Sequence, residues 1–492
     1  MFRRDHLAWS RVLKASAAVV LCALLMGSAK LTEHAVVYAQ ANAPGWTGPT
    51  DISHPLSAGR DLNGVLLCDP YQNLHIFWGK GQADGSEIYY RTDKEGSLSA
   101  PTDVLATSDS LAVNLSVALT EQDNFIHLVW ADQYTQGTIY YSRAPLADAQ
   151  DPRAWDTPSV LIAPAESAGI SVDESGTLYV TAARFEADGY ATVAYQMRST
   201  DSGATWSEPV LIYERTLAEP TFLLVTAAFD EGGRLHVGII HRSQQYGADS
   251  EVGYMRSLDT GQTWEPYRVI AVQSEATPNV SNIAPFAFGE DEIHLTWHDP
   301  RRMHAWSNDG GVTWSNPVEI IKLGAGFGGA NQLVKDSAGV LRAVTSVNAG
   351  VYVSTFDGSG WRAHERIENR DLDPHGQQIE ICQGNELHVL YDDRLVEETT
   401  VWYAHRVVNA PHIERGPIPM GRRHASDVST TEVGREATAT AEPTITPPPA
   451  LPPRDVVPPA TSGGELLPLL IGTIPVIALT IVAILSRKHR GR

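Results

Sequence analysis

Positive charge is scarce in this sequence. Its 492 residues carry 37 Lys and Arg against 58 Asp and Glu, a formal charge of −21. No basic stripe is present to displace counterions from a polyanion, which argues against a nucleic-acid partner. The cations that do occur gather at the ends. Residues 1–41 sum to +3 and residues 486–492 to +4, leaving −28 between them. Cysteine is nearly absent, with three in all: Cys22, Cys68 and Cys382. Helical periodicity is almost missing between residues 46 and 410. No phosphate loop, nucleophile elbow or metal-ligand spacing occurs. Gly324-Ala325-Gly326-Phe327-Gly328-Gly329 precedes no helix, so it is not a dinucleotide fingerprint. No cofactor and no metal are expected.

What is abundant is glycine, 40, proline, 30, and tryptophan, 12. That mix favours many short strands joined by turns. Two apolar runs stand apart from it. Arg3, Arg4, Arg11 and Lys14 precede Ala15 to Met26, and Ala39-Gln40-Ala41 is a small-x-small cleavage site. Residues 1–41 therefore read as a signal peptide. Leu466 to Leu485 carries no charge and is followed by Arg487-Lys488-His489-Arg490. Residues 465–486 are expected to form a transmembrane helix with residues 487–492 as a cytoplasmic basic tail. Residues 411–464, rich in Thr and Pro towards their end, read as an extended stalk. The expected location is the cell membrane, with a single pass and with residues 42–410 on the extracytoplasmic side. Cys22 leaves with the signal, and the remaining pair lies where disulfides are allowed.

Residues 42–410 repeat. An alternating apolar pattern starts at Leu74, Ile126, Leu178, Leu235, Ile293, Leu341 and Leu387, in steps of 46 to 58 residues. A Trp-x-x-Pro marker or a relative of it recurs at Trp46, Leu98, Trp155, Trp206, Trp264, Trp314 and Trp361. Each unit holds about four strands. The pattern predicts an all-β fold, a β-propeller of seven four-stranded blades, with six as the alternative. Trp46 precedes the first core strand and no marker follows Trp402-Tyr403, so residues 46–52 are expected to supply the outer strand of the last blade. Cys68 and Cys382 then stand at matching positions in blades adjacent across that closure. They are expected either to pair as a disulfide stapling the ring or to remain two buried thiols. His75, His127, His236, His294 and His388 recur at one strand position, which reads as repeat structure rather than ligation.

Three units contain Ser-x-Asp-x-Gly-x-Thr-Trp: Ser199 to Trp206, Ser257 to Trp264 and Ser307 to Trp314. Ser354 to Trp361 is a degraded copy. Asp201, Asp259 and Asp309 can close a tight turn on backbone N–H groups, while Trp206, Trp264 and Trp314 pack between sheets. This motif is the Asp-box, or BNR repeat, and the sequence resembles the sialidase superfamily. The box fills the turn between third and fourth strands. Hairpins alternate faces, so the opposite face collects the loops that carry function. On it fall Asp132, Asp299, Arg301, Asp392, Asp393 and Arg394, the candidate binding residues.

The resemblance implies a carboxylate grip of three Arg, an Asp acid/base and a Glu-assisted Tyr nucleophile. Arg60, Arg242 and Arg302 match the Arg positions in order, with Arg301 close behind Arg302. Asp84 matches the acid/base and Glu219 the Glu. No Tyr stands at the nucleophile position, where Gly328-Gly329-Ala330-Asn331-Gln332-Leu333 occurs; Tyr352 and Tyr391 are substitutes from elsewhere. Three functions follow as expectations. They are a membrane-anchored propeller recognising a glycan or glycoprotein, an active exo-α-sialidase, and another polysaccharide hydrolase or lyase using Asp392 with Asp132 or Asp299.

Overall fold

The computed structural model describes residues 45–416, apart from 54–59, 83–84, 95–96, 108–111, 133–136, 186–190, 215–220, 244–248, 274–279, 300, 323–331, 348–349, 368–372 and 395–398. The expected signal peptide, transmembrane helix and basic tail lie outside these residues, as does the stalk beyond Gly416. Among the described residues, no helix is long and apolar enough to cross a membrane.

Alternating apolar residues make each strand two-faced, and seven antiparallel sheets result. The first strands of the blades run around a central channel. They are Arg60–Cys68, Ala112–Thr120, Ala165–Val172, Thr221–Phe229, Ser281–Phe288, Gln332–Lys335 and Pro374–Cys382. Second, third and fourth strands follow outward in order, with the added pair Ser97–Leu98 in blade one. The seventh sheet takes its outer strand from Thr50–Asp51, where Thr50 faces Tyr403 and Asp51 faces Trp402. The Thr47 and Ile52 amides extend the seam by donating to the His405 and Val401 carbonyls, at 3.0 and 2.9 Å. The ring is thus seven-bladed and closed by its own N-terminal segment, which removes an exposed sheet edge.

The core lies between blades. Phe77, Ile88 and Tyr90 of blade one pack with Leu119, Leu128 and Trp130 of blade two, and Ile52, Leu390 and Val401 pack with Leu66, Ile76 and Trp78 across the closure. Each such side chain contributes roughly 1.5–3 kcal/mol on burial. No blade could bury its two faces alone. Cys68 and Cys382 form a disulfide across the same closure, with Cα atoms 5.6 Å apart.

The recurring histidines are struts. Nδ1 of His75, His127, His236 and His388 meets the hydroxyl of Tyr90, Tyr141, Tyr254 and Tyr403 at 2.6–2.8 Å. On the other side of the ring, His75 meets Asp69, His236 meets Asp230 and His294 meets Glu292, at 3.0–3.1 Å. Burial holds His127 down to about 3 and His388 to about 4, so both rings are neutral. In blade three Tyr179 takes the histidine's place and donates to Asp173.

Each Asp-box closes on itself. In blade five the Asp309 carboxylate accepts from Thr313 N and Oγ1 and from Ser307 Oγ at 2.6–2.8 Å, which pulls its pKa down to about 2. Thr205 and Thr263 hold Asp201 and Asp259 in the same way. Blade two has no box. Two 3-10 turns, Leu146–Asp148 and Pro152–Ala154, replace it and carry Trp155 into the core.

The residues after the last blade stay with it. Ile413 N donates to Gln383 O, Gly416 N donates to Tyr71 O, and the Arg415 guanidinium lies 2.6 Å from Asp93. Residues 411–416, expected as the start of the stalk, lie against blades one, six and seven on the Asp-box face, held also by Ser337 on the Pro411 carbonyl.

Candidate functional site

The channel widens into a cavity of about 570 Å³ whose walls come from the first strands of all seven blades. A backbone device shapes it. In four blades the first strand carries two residues opposite one residue of the second strand. The register skips between Leu62 and Val65, Val113 and Ser116, Ser281 and Ala284, and His375 and Gln378. The single residue opposite is Trp78, Trp130, Trp297 or Tyr391. Blade four pairs without a skip there and has Ile239 at the matching position, and blade three, whose register shifts instead between Ala165 and Ser167, has Ala182. A bulky aromatic thus coincides with a bulge that re-aims the inner strand.

The first bulge residue adopts positive φ at Asn114, 52°, Asn282, 54°, and Gly376, 54°. Asn is the non-glycine residue best suited to that conformation. The second bulge residue turns inward: Leu115, Ile283 and Gln377 are buried. Asn114 and Asn282 line the cavity together with Gln332, His375, Gln378 and Arg394. Sequence reasoning named Arg394 as a binding residue but missed the bulge set. Its signal was Asn or Gly at one register in four inner strands, visible only once the strand opposite is known.

The expected site residues fall into distinct places. Arg302 has no exposed surface. Its Nη2 donates to the Ser346 carbonyl of blade six at 2.5 Å, and burial lowers its pKa to about 10. Ser346 Oγ in turn donates to Gln377 Oε1 of blade seven. Arg302 is therefore a strut between blades rather than a guanidinium open to a substrate carboxylate. Arg301, one residue away and on the other face of its strand, is half exposed and forks onto Asp299 at 2.9 and 3.0 Å. Asp392 is buried and held by Arg394 at 2.7 Å, while Asp393 accepts from Asp373 N at 3.0 Å. An enclosed, ion-paired Asp392 is poorly placed as an acid/base. Tyr391 and Tyr352 are both buried.

Arg60 opens the first strand of blade one opposite Gly81, and Arg242 stands opposite Phe222 near the end of a second strand. Asp132 closes the second strand of blade two opposite Ala112. All three backbones are thus at the loop face. Asp84 and Glu219 lie outside the described residues.

One further feature separates the cavity from the rest of the surface. In a chain of −21, no Asp or Glu is among the described residues lining it. Among them the only residue with a permanent positive charge is Arg394, already neutralised by Asp392.

Residues 138–378 match the family model described as a BNR repeat-like domain. No curated protein matches by sequence. Several solved structures are similar. The polysaccharide lyase Uly1 is 11% identical with a TM-score of 0.49, covering 76% of this chain and 92% of its own. The NanB sialidase from Streptococcus pneumoniae is 13% identical with a TM-score of 0.42, covering 75% and 70%. The Trypanosoma rangeli sialidase in complex with sialic acid is 12% identical with a TM-score of 0.45, covering 75% and 60%. With its seven sheets and its intact Asp-boxes, this chain is a seven-bladed β-propeller whose residues 138–378 match the BNR repeat-like domain.

Proposed function

We propose that the chain is a glycan-recognising propeller, exported and held on the extracytoplasmic side of the cell membrane by a C-terminal span. The observation that carries the recognition is the central cavity, which opens among side-chain amides on a rigid, closed ring. Its volume is that of a small-ligand site. The anchoring rests on the apolar run of residues 466–485 and the basic residues after it. Binding without sialidase-type hydrolysis is favoured by the enclosure of Arg302 and by the lack of a Tyr at the expected nucleophile position. Asp299 with Arg301, and Asp392 and Asp393 with Arg394, are then rim pairs that shape the mouth.

The test uses the full chain in detergent micelles. Binding to a glycan array is scored beside release of a fluorophore from a fluorogenic sialoside. Specific retention without turnover supports the proposal. Turnover above that of the Arg302→Ala protein overturns the non-hydrolytic reading, and an array without specific retention overturns the glycan reading. The anchor is tested separately: the chain should resist carbonate extraction from membranes, and a chain ending at residue 464 should not.

A further inference from the structure

We infer that the cavity selects an uncharged, hydroxyl-rich ligand, a neutral sugar, and that Asn114, placed by its bulge, is a specificity-determining residue. The inference rests on the glycan reading above and narrows it. The amides of Asn114, Gln332 and Gln378 line the cavity and make no hydrogen bond among the described residues. Each offers two donors and an acceptor, the complement of sugar hydroxyls, which both donate and accept. Asn114 is exposed although it sits within an inner strand, which means that its side chain faces the channel. Positive φ at a non-glycine residue is retained where the surroundings over-determine it, often at ligand sites.

The remaining wall is apolar. Val117 and Leu224, both partly exposed, offer surfaces for the C–H faces of a ring. Other polar atoms of the wall are already occupied: Ser116 Oγ accepts from Ile170 N at 3.2 Å, and Thr226 Oγ1 donates to Ile283 O at 2.7 Å.

Charge decides the class. Among the described residues the lining holds no carboxylate, so none of them repels an anion outright. Equally, none of them is an uncommitted cation. Arg394 lies 2.7 Å from Asp392, and His375 lies 3.1 Å from Asp373. A sugar carboxylate entering this wall would lose its water without gaining a counter-charge, a cost that a hydroxyl with amide partners escapes. The structure therefore points away from the acidic sugars that the sialidase resemblance implies.

Blade seven supplies the variant for the test. Gly376 occupies the bulge position that Asn114 occupies in blade two, at φ 54° against 52°. Asn114→Gly removes the amide and keeps the backbone, because glycine populates positive φ freely. The full chain is titrated by calorimetry with neutral gluco-, galacto- and manno-configured oligosaccharides, with sialyllactose, and with a uronate oligosaccharide. Binding of a neutral member is expected, weakened roughly tenfold in Asn114→Gly at unchanged melting temperature. Gln378→Ala should weaken it similarly.

Binding of acidic sugars in preference to neutral ones overturns the inference and leaves the glycan reading standing. So does neutral-sugar binding that ignores both variants, which would place the site elsewhere. Binding of neither class overturns both readings, the channel then holding water alone.

Discussion

Tyr141 of blade two and Gly203 of blade three's Asp-box occupy one another's only available space. A Cβ on Gly203 would lie 1.6 Å from the Tyr141 hydroxyl, which itself meets His127 at 2.8 Å. Tyr254 of blade four stands in the same relation to Gly311 of blade five's box, at 2.0 Å. In these two boxes the glycine is therefore a socket for the preceding blade's tyrosine as well as a turn residue, while Gly261 of blade four's box faces Gln196. Gly203→Ala should destabilise the fold far more than Gly233→Ala. Both residues have positive φ, 82° and 74°, but nothing lies within 4 Å of the added Cβ at Gly233. Gly233→Ala is expected to cost roughly 1–2 kcal/mol from backbone strain alone. Thermal unfolding of the two proteins makes the comparison.

The Cys68–Cys382 bond spans 314 residues. Constraint of so long a loop stabilises by up to about 5 kcal/mol on the chain-entropy account. Cys68→Ala/Cys382→Ala is expected to melt several degrees lower, and reductant should lower the melting temperature of the parent but not of the double variant. Two titratable thiols in denatured, unreduced protein would contradict the bond.

Acid should weaken the ring through its buried histidines. His127 and His388 are held by burial at about 3 and 4 in the folded chain, against roughly 6.5 unfolded. Between those values the unfolded chain binds protons that the folded chain refuses. Stability is thus complete above about pH 6.5 and falls as the pH drops, by at most roughly 1.4 kcal/mol per pH unit for each ring. Melting temperatures from pH 7.5 to 4.5 read this directly. His127→Gln, whatever its own stability, should show a shallower slope.

Arg302 should behave as a structural residue. Arg302→Ala leaves a void and an unpaired Ser346 carbonyl, and a loss on the order of 3 kcal/mol or more is expected. Arg153→Ala, at a position whose side chain is 92% exposed, should stay within about 0.5 kcal/mol. Chemical denaturation of both variants checks the contrast. Equal midpoints would remove Arg302 from its inter-blade role.

The architecture was legible because its signals are local and repeated. Alternation from Leu74 to Leu387 marked the second strand of every blade, and the position of Trp46 ahead of the first of them marked the shared last blade. The site was harder to read. Arg301 and Arg302 are adjacent in sequence, yet a strand sends them to opposite faces, and a one-residue error exchanges the exposed cation for the buried one. The bulges were hidden for a related reason. Asn114 and Asn282 gain their meaning from Trp130 and Trp297 on the neighbouring strand, a two-against-one relation that no single-strand pattern contains.

The seam at Thr50–Asp51 also sets an order of events. Thr50 pairs with Tyr403, so the first strand to leave the ribosome is among the last to find its partner. Until residue 407 has emerged, blade one lacks the neighbour that covers Leu66, Leu74 and Trp78. Before that point the chain can form only an open arc of stacked blades, which becomes a ring at the end. A nascent chain stalled before blade seven should present that bare flank to chaperones.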